Sequence, residues 1–129
     1  MNLEELKQTF DMLEDGEEKY AYVIELGKQL PPYPSNKKND EHRIYGCSSN
    51  VWFDFKNENG KYYFDFDSNA LIVKGLLFII KLIFDGKTPD EMGKINAMDF
   101  FEKIGLKSSL SNQRQVGLSS IITKIEGLK

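Results

Sequence analysis

The apolar segment from Ala70 to Phe84, ALIVKGLLFIIKLIF, constrains the fold more than any other stretch of this chain. It is shorter than the roughly 20 predominantly apolar residues that a membrane-spanning helix needs, and Lys74 and Lys81 interrupt it. A segment that is apolar on nearly every side belongs in the interior of a folded protein. We therefore predict a buried helix over residues 69–84, with Ser68 as its N-cap and the two lysines at its solvated edge.

The size and composition of the chain indicate one soluble globular domain. It has 129 residues, of which 40% are hydrophobic and 29% charged, and a domain of this size buries roughly two thirds of its unfolded surface. The net charge is −3 and no basic run is longer than Lys37-Lys38, so nucleic acids and anionic membranes are poor partners. The N-terminal residues carry acids and lack an uninterrupted apolar region, unlike a secretory signal. We expect a single domain over residues 1–129, located in the cytoplasm.

Helix signals cluster at the two ends of the chain. Three N-cap residues are each followed three positions later by an acid: Asn2 with Glu5, Asp15 with Glu18, and Thr88 with Glu91. Apolar spacing and the proline-rich segment 31–34 set the limits of the helices. The predicted helices are 2–13, 15–30, a short one from 88, one around 98–104 and a last one over 118–128.

Short strands are predicted in the middle of the chain, after a polar loop at 35–42. Apolar residues alternate over 51–57 and 61–67, and the residues ENG between them are a hairpin signal. A further short strand is predicted at 43–45. The elements lack the strand–helix alternation of parallel sheets, so we predict the α+β class, with a small antiparallel sheet of about three strands packed with helices from both ends of the chain.

Cys47 is the only cysteine, and it lies in the sequence RIYGCSSNVWF. One cysteine and one histidine exclude an intrachain disulfide and a Cys/His zinc site. Free cysteines are often buried as small apolar residues, which is one interpretation. The neighbours favour another, because Gly46 permits a sharp turn and Ser48 and Ser49 are turn-forming. The thiol is therefore predicted at a bend between strands, where it can be presented to a partner.

A thiol acts as a nucleophile in its thiolate form, which a nearby cation stabilises. Arg43 and His42 are close to the cysteine in sequence, whereas Arg114 lies far along the chain. His42 would be about 16 Å from Cys47 along an extended segment, so a solvated loop position is favoured over a Cys/His dyad. The sequence contains no P-loop, GxGxxG or GxSxG motif, so nucleotide-dependent chemistry has no support.

Five segments, in order along the chain, resemble the SufE family of sulfur acceptors. Residues His42 to Trp52 resemble the active-cysteine segment of that family, in which an aliphatic residue, Gly-Cys, a serine and Val-Trp recur. The other four segments are YVIELGKQLPPYP, DSNALIVKGLL, TPDEM and LSNQRQVGLSSII. Together the five cover roughly residues 17 to 126, nearly the whole chain.

The resemblance implies a carrier of sulfur in iron–sulfur cluster assembly. Such a protein takes the outer sulfur of a persulfide from a PLP-dependent, SufS-like cysteine desulfurase onto its own cysteine, here Cys47, and speeds that enzyme. It then passes the sulfur to a SufBCD-like scaffold complex. The implied fold is the one shared with IscU-type scaffold proteins, and no cofactor or metal is implied. The chain would be a sulfur-transfer partner rather than a free-standing enzyme. Because it is a small acidic domain, we expect it to be a monomer.

The resemblance also suggests which residues support the cysteine. Arg114 matches the family's arginine in the R..GL segment, so it is predicted to hold the cysteine loop or to dock the partner. The other predicted loop-supporting or partner-docking residues are Gly46, Ser49, Arg43, His42 and Trp52. Because a persulfide is easily lost, our hypothesis is a loop that shelters Cys47 against Trp52 or nearby apolar surface and swings out on docking.

Four positions depart from the family pattern. Glutamines are common where this chain has Ser48 and Asn50, an asparagine is usual at His42, and Asn69 replaces an acid. These departures put in doubt the contacts by which the family would hold the cysteine loop. Two alternatives stay open: an adaptor that activates the desulfurase with an incidental thiol, and, with weaker support, a thiol peroxidase or cysteine hydrolase, which would lack a resolving cysteine and a well-placed base.

Overall fold

The computed structural model describes residues 1–128, which form six α-helices and one two-stranded antiparallel sheet. The helices are α1 (Leu3–Met12), α2 (Gly16–Gly27), α3 (Leu71–Phe84), α4 (Pro89–Gly93), α5 (Ala97–Lys103) and α6 (Asn112–Glu126). The strands are β1 (Val51–Glu58) and β2 (Lys61–Ser68), and short 3-10 turns lie at Ser35–Lys37, Asp40–His42 and Lys107–Ser109. The predicted α+β class, with helices from both ends of the chain around a small sheet, is confirmed.

Three helices begin where their capping residues predicted. The side chain of Asn2 accepts a hydrogen bond from the backbone N–H of Glu5 at 2.8 Å, and Asp15 does the same for Glu18. Thr88 and Glu91 form a complete capping box, in which each side chain accepts from the other residue's backbone N–H. One such cap is worth about 1 kcal/mol to a helix, so these contacts fix the starts of α1, α2 and α4.

Other helix limits differ from the prediction. Helix α3 begins at Leu71, with Ala70 as its N-cap residue, whereas the hydroxyl of Ser68 donates to the carbonyl oxygen of Asn50 at 2.7 Å and accepts from the N–H of Ala70. Helix α2 ends at Gly27 and is followed by turns before the prolines. Helix α6 begins at Asn112, because Ser111 caps a polar first turn that has no apolar period.

The predicted third strand at 43–45 is wrong, so the sheet has two strands within the described residues, not about three. Arg43 forms only an isolated bridge with Trp52, and the N–H of Ile44 donates to the carbonyl oxygen of Val51 at 2.8 Å. Gly46, with φ +95°, then turns the chain away from the sheet. A second isolated bridge, between Tyr62 and Lys87, lies along the free edge of β2.

The inner face of the sheet packs on α3. The buried apolar side chains of the two strands are Val51, Phe53, Phe64 and Phe66. Against them lies the helix that the apolar segment predicted, with most of its residues buried. Helix α2 crosses the same helix so closely that a Cβ on Gly75 would overlap the carbonyl oxygen of Val23. The apolar helix is therefore enclosed by the sheet and by α2, which accounts for its lack of a polar face.

Charged residues cover the outer face of the sheet. Lys37 pairs with Asp54 at 2.5 Å and Lys38 with Asp67 at 2.7 Å, which ties the 35–42 segment to the strands.

Lys81 of α3 is largely buried rather than solvated, because it forms an ion pair with Asp85 at 3.0 Å and donates to the carbonyl oxygen of Phe64. None of the helices in residues 1–128 combines the length and the apolar character needed to cross a bilayer.

Candidate functional site

The cysteine lies in a loop between the Arg43 bridge and β1, and this loop packs on α6. Gly46 adopts φ +95°, a left-handed conformation that favours glycine. A Cβ at this position would also lie 2.6 Å from the hydroxyl oxygen of Ser120 on α6. Two independent constraints therefore require glycine immediately before the cysteine.

Cys47 lies directly against the backbone of α6 and is half-buried. Its thiol donates a hydrogen bond to the carbonyl oxygen of Gly117, with an Sγ–O distance of 3.4 Å. A Cβ on Gly117 would lie 3.5 Å from Sγ, which is an ordinary van der Waals contact. The thiol therefore lies close to α6 but leaves room for a methyl group at position 117.

The far end of the loop is held by the segment that joins β2 to α3. The carbonyl oxygen of Asn50 accepts from the hydroxyl of Ser68, and its N–H donates to the side-chain oxygen of Asn69 at 3.1 Å. Two of the four departures from the family pattern therefore meet here. The contact uses the backbone of Asn50, so it does not depend on which side chain residue 50 carries. Asn69 supplies a neutral acceptor at the position where the resembled family pattern has an acid.

A small cavity of about 20 Å³ opens beside the thiol. Its apolar walls come from Val73 and Leu76 on α3 and from Leu118 and Ile121 on α6. Its polar wall comes from Ser48, Ser49, Gln113 and Arg114. A space of this size holds about one water-sized atom. The thiol therefore faces room for one further atom, in surroundings that are largely apolar.

Burial raises the pKa of the Cys47 thiol, and the positive charge of Arg43 offsets part of that rise. The net effect leaves the pKa above the ordinary value for cysteine, so the resting thiol is protonated at neutral pH. Since the nucleophile is the thiolate, this environment disfavours the reactive form of the thiol.

Arg114 and Ser49, two of the residues predicted to support the loop or dock the partner, both line the thiol cavity. The guanidinium carbon of Arg114 lies 5.7 Å from the centre of the Tyr20 ring, which holds the side chain between α6 and α2. Such a cation–aromatic contact restrains the arginine without neutralising it. Arg114 therefore keeps its charge available at the mouth of the cavity. Its role, in loop support or in docking, stays a prediction.

His42 and Trp52 lie away from the thiol cavity. The imidazole Nδ1 of His42 is 2.8 Å from the side-chain oxygen of Asn39, and the residue lines a different cavity beside Asp54. Trp52 lies under the ammonium group of Lys38, 5.7 Å from the ring centre. The apolar surface next to Cys47 comes from α3 and α6 instead. Arg43 is the predicted residue that acts on the thiol electrostatically from outside the cavity.

Sequence reasoning missed the residues of α3 and α6 that face the thiol. Leu118 and Ile121 were recognised only as part of an apolar helix face, and Val73 and Leu76 only as part of a buried helix. One signal was available: Gly117 is an isolated glycine within a helical pattern, which commonly marks a close packing contact. No cluster of three or more potential metal ligands occurs within residues 1–128.

The family model for SufE, described as an Fe-S metabolism associated domain, matches residues 4–128. The chain belongs to the SufE family. An uncharacterized SufE-like protein of Rhizobium meliloti (strain 1021) is 40% identical over 129 residues, covering 97% of this chain and 92% of the relative. A second SufE-like protein, from Rhizobium etli, is 39% identical over 96% of this chain and 86% of its own length.

One further relative and one solved structure are also similar to this chain. The sulfur acceptor protein CsdE of Escherichia coli (strain K12) is 39% identical over 119 residues, which cover 92% of this chain and 81% of CsdE. The solution structure of a hypothetical protein from Thermus thermophilus matches with a TM-score of 0.76 over 97% of this chain and 90% of that protein, at 20% identity. That structural match supports the fold, while the family match connects this SufE-family chain with iron–sulfur metabolism.

Proposed function

We propose that this SufE-family chain is a sulfur acceptor and carrier whose carrying atom is Sγ of Cys47. The observation that supports the proposal most directly is the pairing of the only cysteine with a cavity that fits one further atom. A relative at 39% identity is named as a sulfur acceptor protein, which supports the same role. The donor would be a PLP-dependent, SufS-like cysteine desulfurase, which the chain also stimulates, and the recipient a SufBCD-like scaffold complex.

The proposed step is an exchange between two thiols. The Cys47 thiolate attacks the outer sulfur of a persulfide on the desulfurase, a new S–S bond forms at Cys47, and the S–S bond to the desulfurase cysteine breaks. The desulfurase cysteine leaves as a thiolate and takes up a proton. One S–S bond replaces another, so there is no net oxidation or reduction. Removing the persulfide frees the desulfurase for its next cycle, which is how the chain would stimulate it.

The closed loop would protect the product of this step. The outer sulfur of a Cys47 persulfide fits the space between α3 and α6, away from oxidants and reductants that would remove it. Loading and unloading then require the loop to leave α6 when a partner docks. Hydrogen exchange on residues 44–50, measured with and without the desulfurase, tests this motion. Unchanged protection of these amides would count against a moving loop.

A specific observation favours the alternative in which the chain is only an adaptor. The thiol is half-buried, and its raised pKa disfavours the nucleophilic form. An incidental cysteine would show the same properties. In that case the surface around the loop, rather than the sulfur, would activate the desulfurase.

The mass of the intact protein separates the two functions. After incubation with the desulfurase and cysteine, a carrier gains one sulfur atom, and the Cys47→Ser variant gains none. The serine variant should also lose most of the stimulation of the desulfurase, because it cannot clear the persulfide. Full stimulation by Cys47→Ser, with no sulfur on the wild-type chain, would reject the carrier and leave the adaptor. The proposed setting is the cytoplasm, whose reducing conditions keep a lone thiol free, and the proposed acting form is a monomer.

A further inference from the structure

A second, larger groove lies on the other side of the cysteine loop. Its volume is about 270 Å³, and it is lined by Arg43, Ile44, Tyr45, Ser120, Thr123 and Lys124. Ser120, which lines this groove, also lies close to Gly46, the residue before Cys47. The lining contains two cations and several hydroxyl groups but no carboxylate. We call this surface the basic groove.

The two cations of the basic groove have no acidic partner. Residues 1–128 form eight ion pairs, and neither Arg43 nor Lys124 takes part in any of them. The Nε of Arg43 is buried and has no hydrogen-bond partner in the described structure. A buried donor without an acceptor is unfavourable, so an acceptor placed beside this guanidinium would be stabilising.

The groups of the groove are held in fixed positions. The guanidinium carbon of Arg43 lies 5.3 Å from the centre of the Tyr45 ring, and the adjacent Ile44 is buried and hydrogen-bonded to β1. Ser120 and Lys124 are four residues apart on α6 and therefore share one face of that helix. Tyr45 is 62% exposed, so an apolar surface borders the cations. This combination suits a peptide carboxylate, because arginine binds a carboxylate through two parallel hydrogen bonds.

We propose that the basic groove binds an acidic segment of the cysteine desulfurase while Cys47 receives sulfur. The inference rests on the proposed function, which supplies the partner, and on the position of the groove beside Gly46. A segment seated in the groove would contact the loop that carries the thiol. Two cations beside an exposed tyrosine do not form the broad basic surface that a nucleic acid requires, so a protein segment is favoured.

The test measures the affinity of the desulfurase for three variants of the full chain. Lys124→Gln removes one cation of the groove without removing the arginine that acts on the thiol. Arg43→Gln combined with Lys124→Gln removes both. The matched control is Lys7→Gln with Lys94→Gln, which makes the same change of charge at two exposed lysines outside the groove.

We expect the double groove variant to bind the desulfurase roughly tenfold more weakly at low ionic strength, and Lys124→Gln to show a smaller loss in the same direction. The difference from wild type should shrink at physiological ionic strength, because salt screens the interaction. At saturating desulfurase, Lys124→Gln should still gain one sulfur atom. Equal affinities for the groove variants and the control would overturn the proposal.

Two further outcomes keep this inference distinct from the proposed function. If the wild-type chain gains no sulfur but the groove variants still lose affinity, the carrier function fails and the docking surface stands. Inorganic phosphate is the probe for a small-anion site. If the groove variants lose phosphate binding while their affinity for the desulfurase is unchanged, the groove is an anion site and the docking proposal is overturned.

Discussion

The crossing of α2 and α3 and the contact between the cysteine loop and α6 are both made at glycines, yet they tolerate very different changes. At Gly75 an added Cβ would overlap the backbone of Val23, so the two helices meet main chain to main chain. At Gly117 the same addition would lie 3.5 Å from Sγ of Cys47, an ordinary contact. The first contact belongs to the core, and the second joins the core to a loop.

The burial of the surrounding residues shows the same difference. Val23, Leu26 and Leu77 at the helix crossing are fully buried, whereas Ser48 and Gly46 beside the thiol are exposed. Local opening is easiest where few apolar groups must be exposed. We therefore expect the cysteine loop to open at a lower cost than the helix crossing.

Gly75→Ala should have the largest effect. The new methyl group cannot fit against the Val23 carbonyl, so α2 and α3 must separate, and we expect a loss of about 3 kcal/mol or more in the free energy of unfolding. The gain in helix propensity, about 1 kcal/mol, does not offset this. Urea denaturation measures the change. An unfolding midpoint equal to that of wild type would contradict the close contact of the two helices at Gly75.

Gly27→Ala should have an intermediate effect. Its Cβ would lie 2.8 Å from the amide nitrogen of Gly75 and 3.0 Å from Cβ of Lys74, so the helices must shift by less. We expect a loss of about 2 kcal/mol. Combined with Gly75→Ala, the loss should be smaller than the sum, because the helices have already separated. Additive losses would show that the two glycines do not act at one contact.

Gly117 variants should change the exposure of the thiol more than stability. Gly117→Ala fits without overlap and should leave stability unchanged or raise it by up to about 1 kcal/mol. Gly117→Leu places a bulky side chain where Cys47 lies, so we expect iodoacetamide to alkylate the thiol several-fold faster. Alkylation at wild-type speed in the leucine variant would indicate that the loop is not held against α6.

Arg43→Gln should have the smallest effect, on the pH dependence of alkylation. Burial raises the pKa of Cys47 and Arg43 lowers it, so removal of the charge should move the alkylation midpoint to still higher pH. The pKa of Cys47 is higher in the folded protein than in the unfolded chain, so the protonated thiol contributes stability below the ordinary thiol pKa. That contribution is lost as the pH rises through the pKa of the folded protein. Because Cys47→Ser has no thiol to ionise, its free energy of unfolding should fall less at alkaline pH than that of the wild type. A midpoint that falls in Arg43→Gln would contradict this electrostatic role.

The fold was predictable where local signals act alone. The caps at Asn2, Asp15 and Thr88 determine helix starts through neighbouring residues, and the long apolar segment was correctly predicted to be buried. The segment 43–45 was misassigned because its pairing depends on where Gly46 turns the chain. The start of α6 was missed because its first turn is polar and exposed, so apolar spacing carries no information there.

The site was predictable only in part. Cys47, Gly46 and Ser49 form one short segment, and its composition indicated a turn that carries a thiol. The partner of that turn is Gly117, 70 residues further along the chain. Which helix face meets a loop is decided by tertiary packing, so neither the thiol cavity nor the basic groove could be placed from spacing alone.

The two isolated bridges have a consequence for self-association. A two-stranded sheet exposes an edge on each strand, and exposed edges invite strands of other copies to add and to build fibrils. Here the bridge between Arg43 and Trp52 occupies part of the edge of β1. The bridge between Tyr62 and Lys87 occupies part of the edge of β2, where the backbone nitrogen of Tyr62 lies 2.9 Å from the carbonyl oxygen of Lys87. Each edge is blocked near one end by the chain itself. A strand from another copy would therefore find part of each edge already occupied.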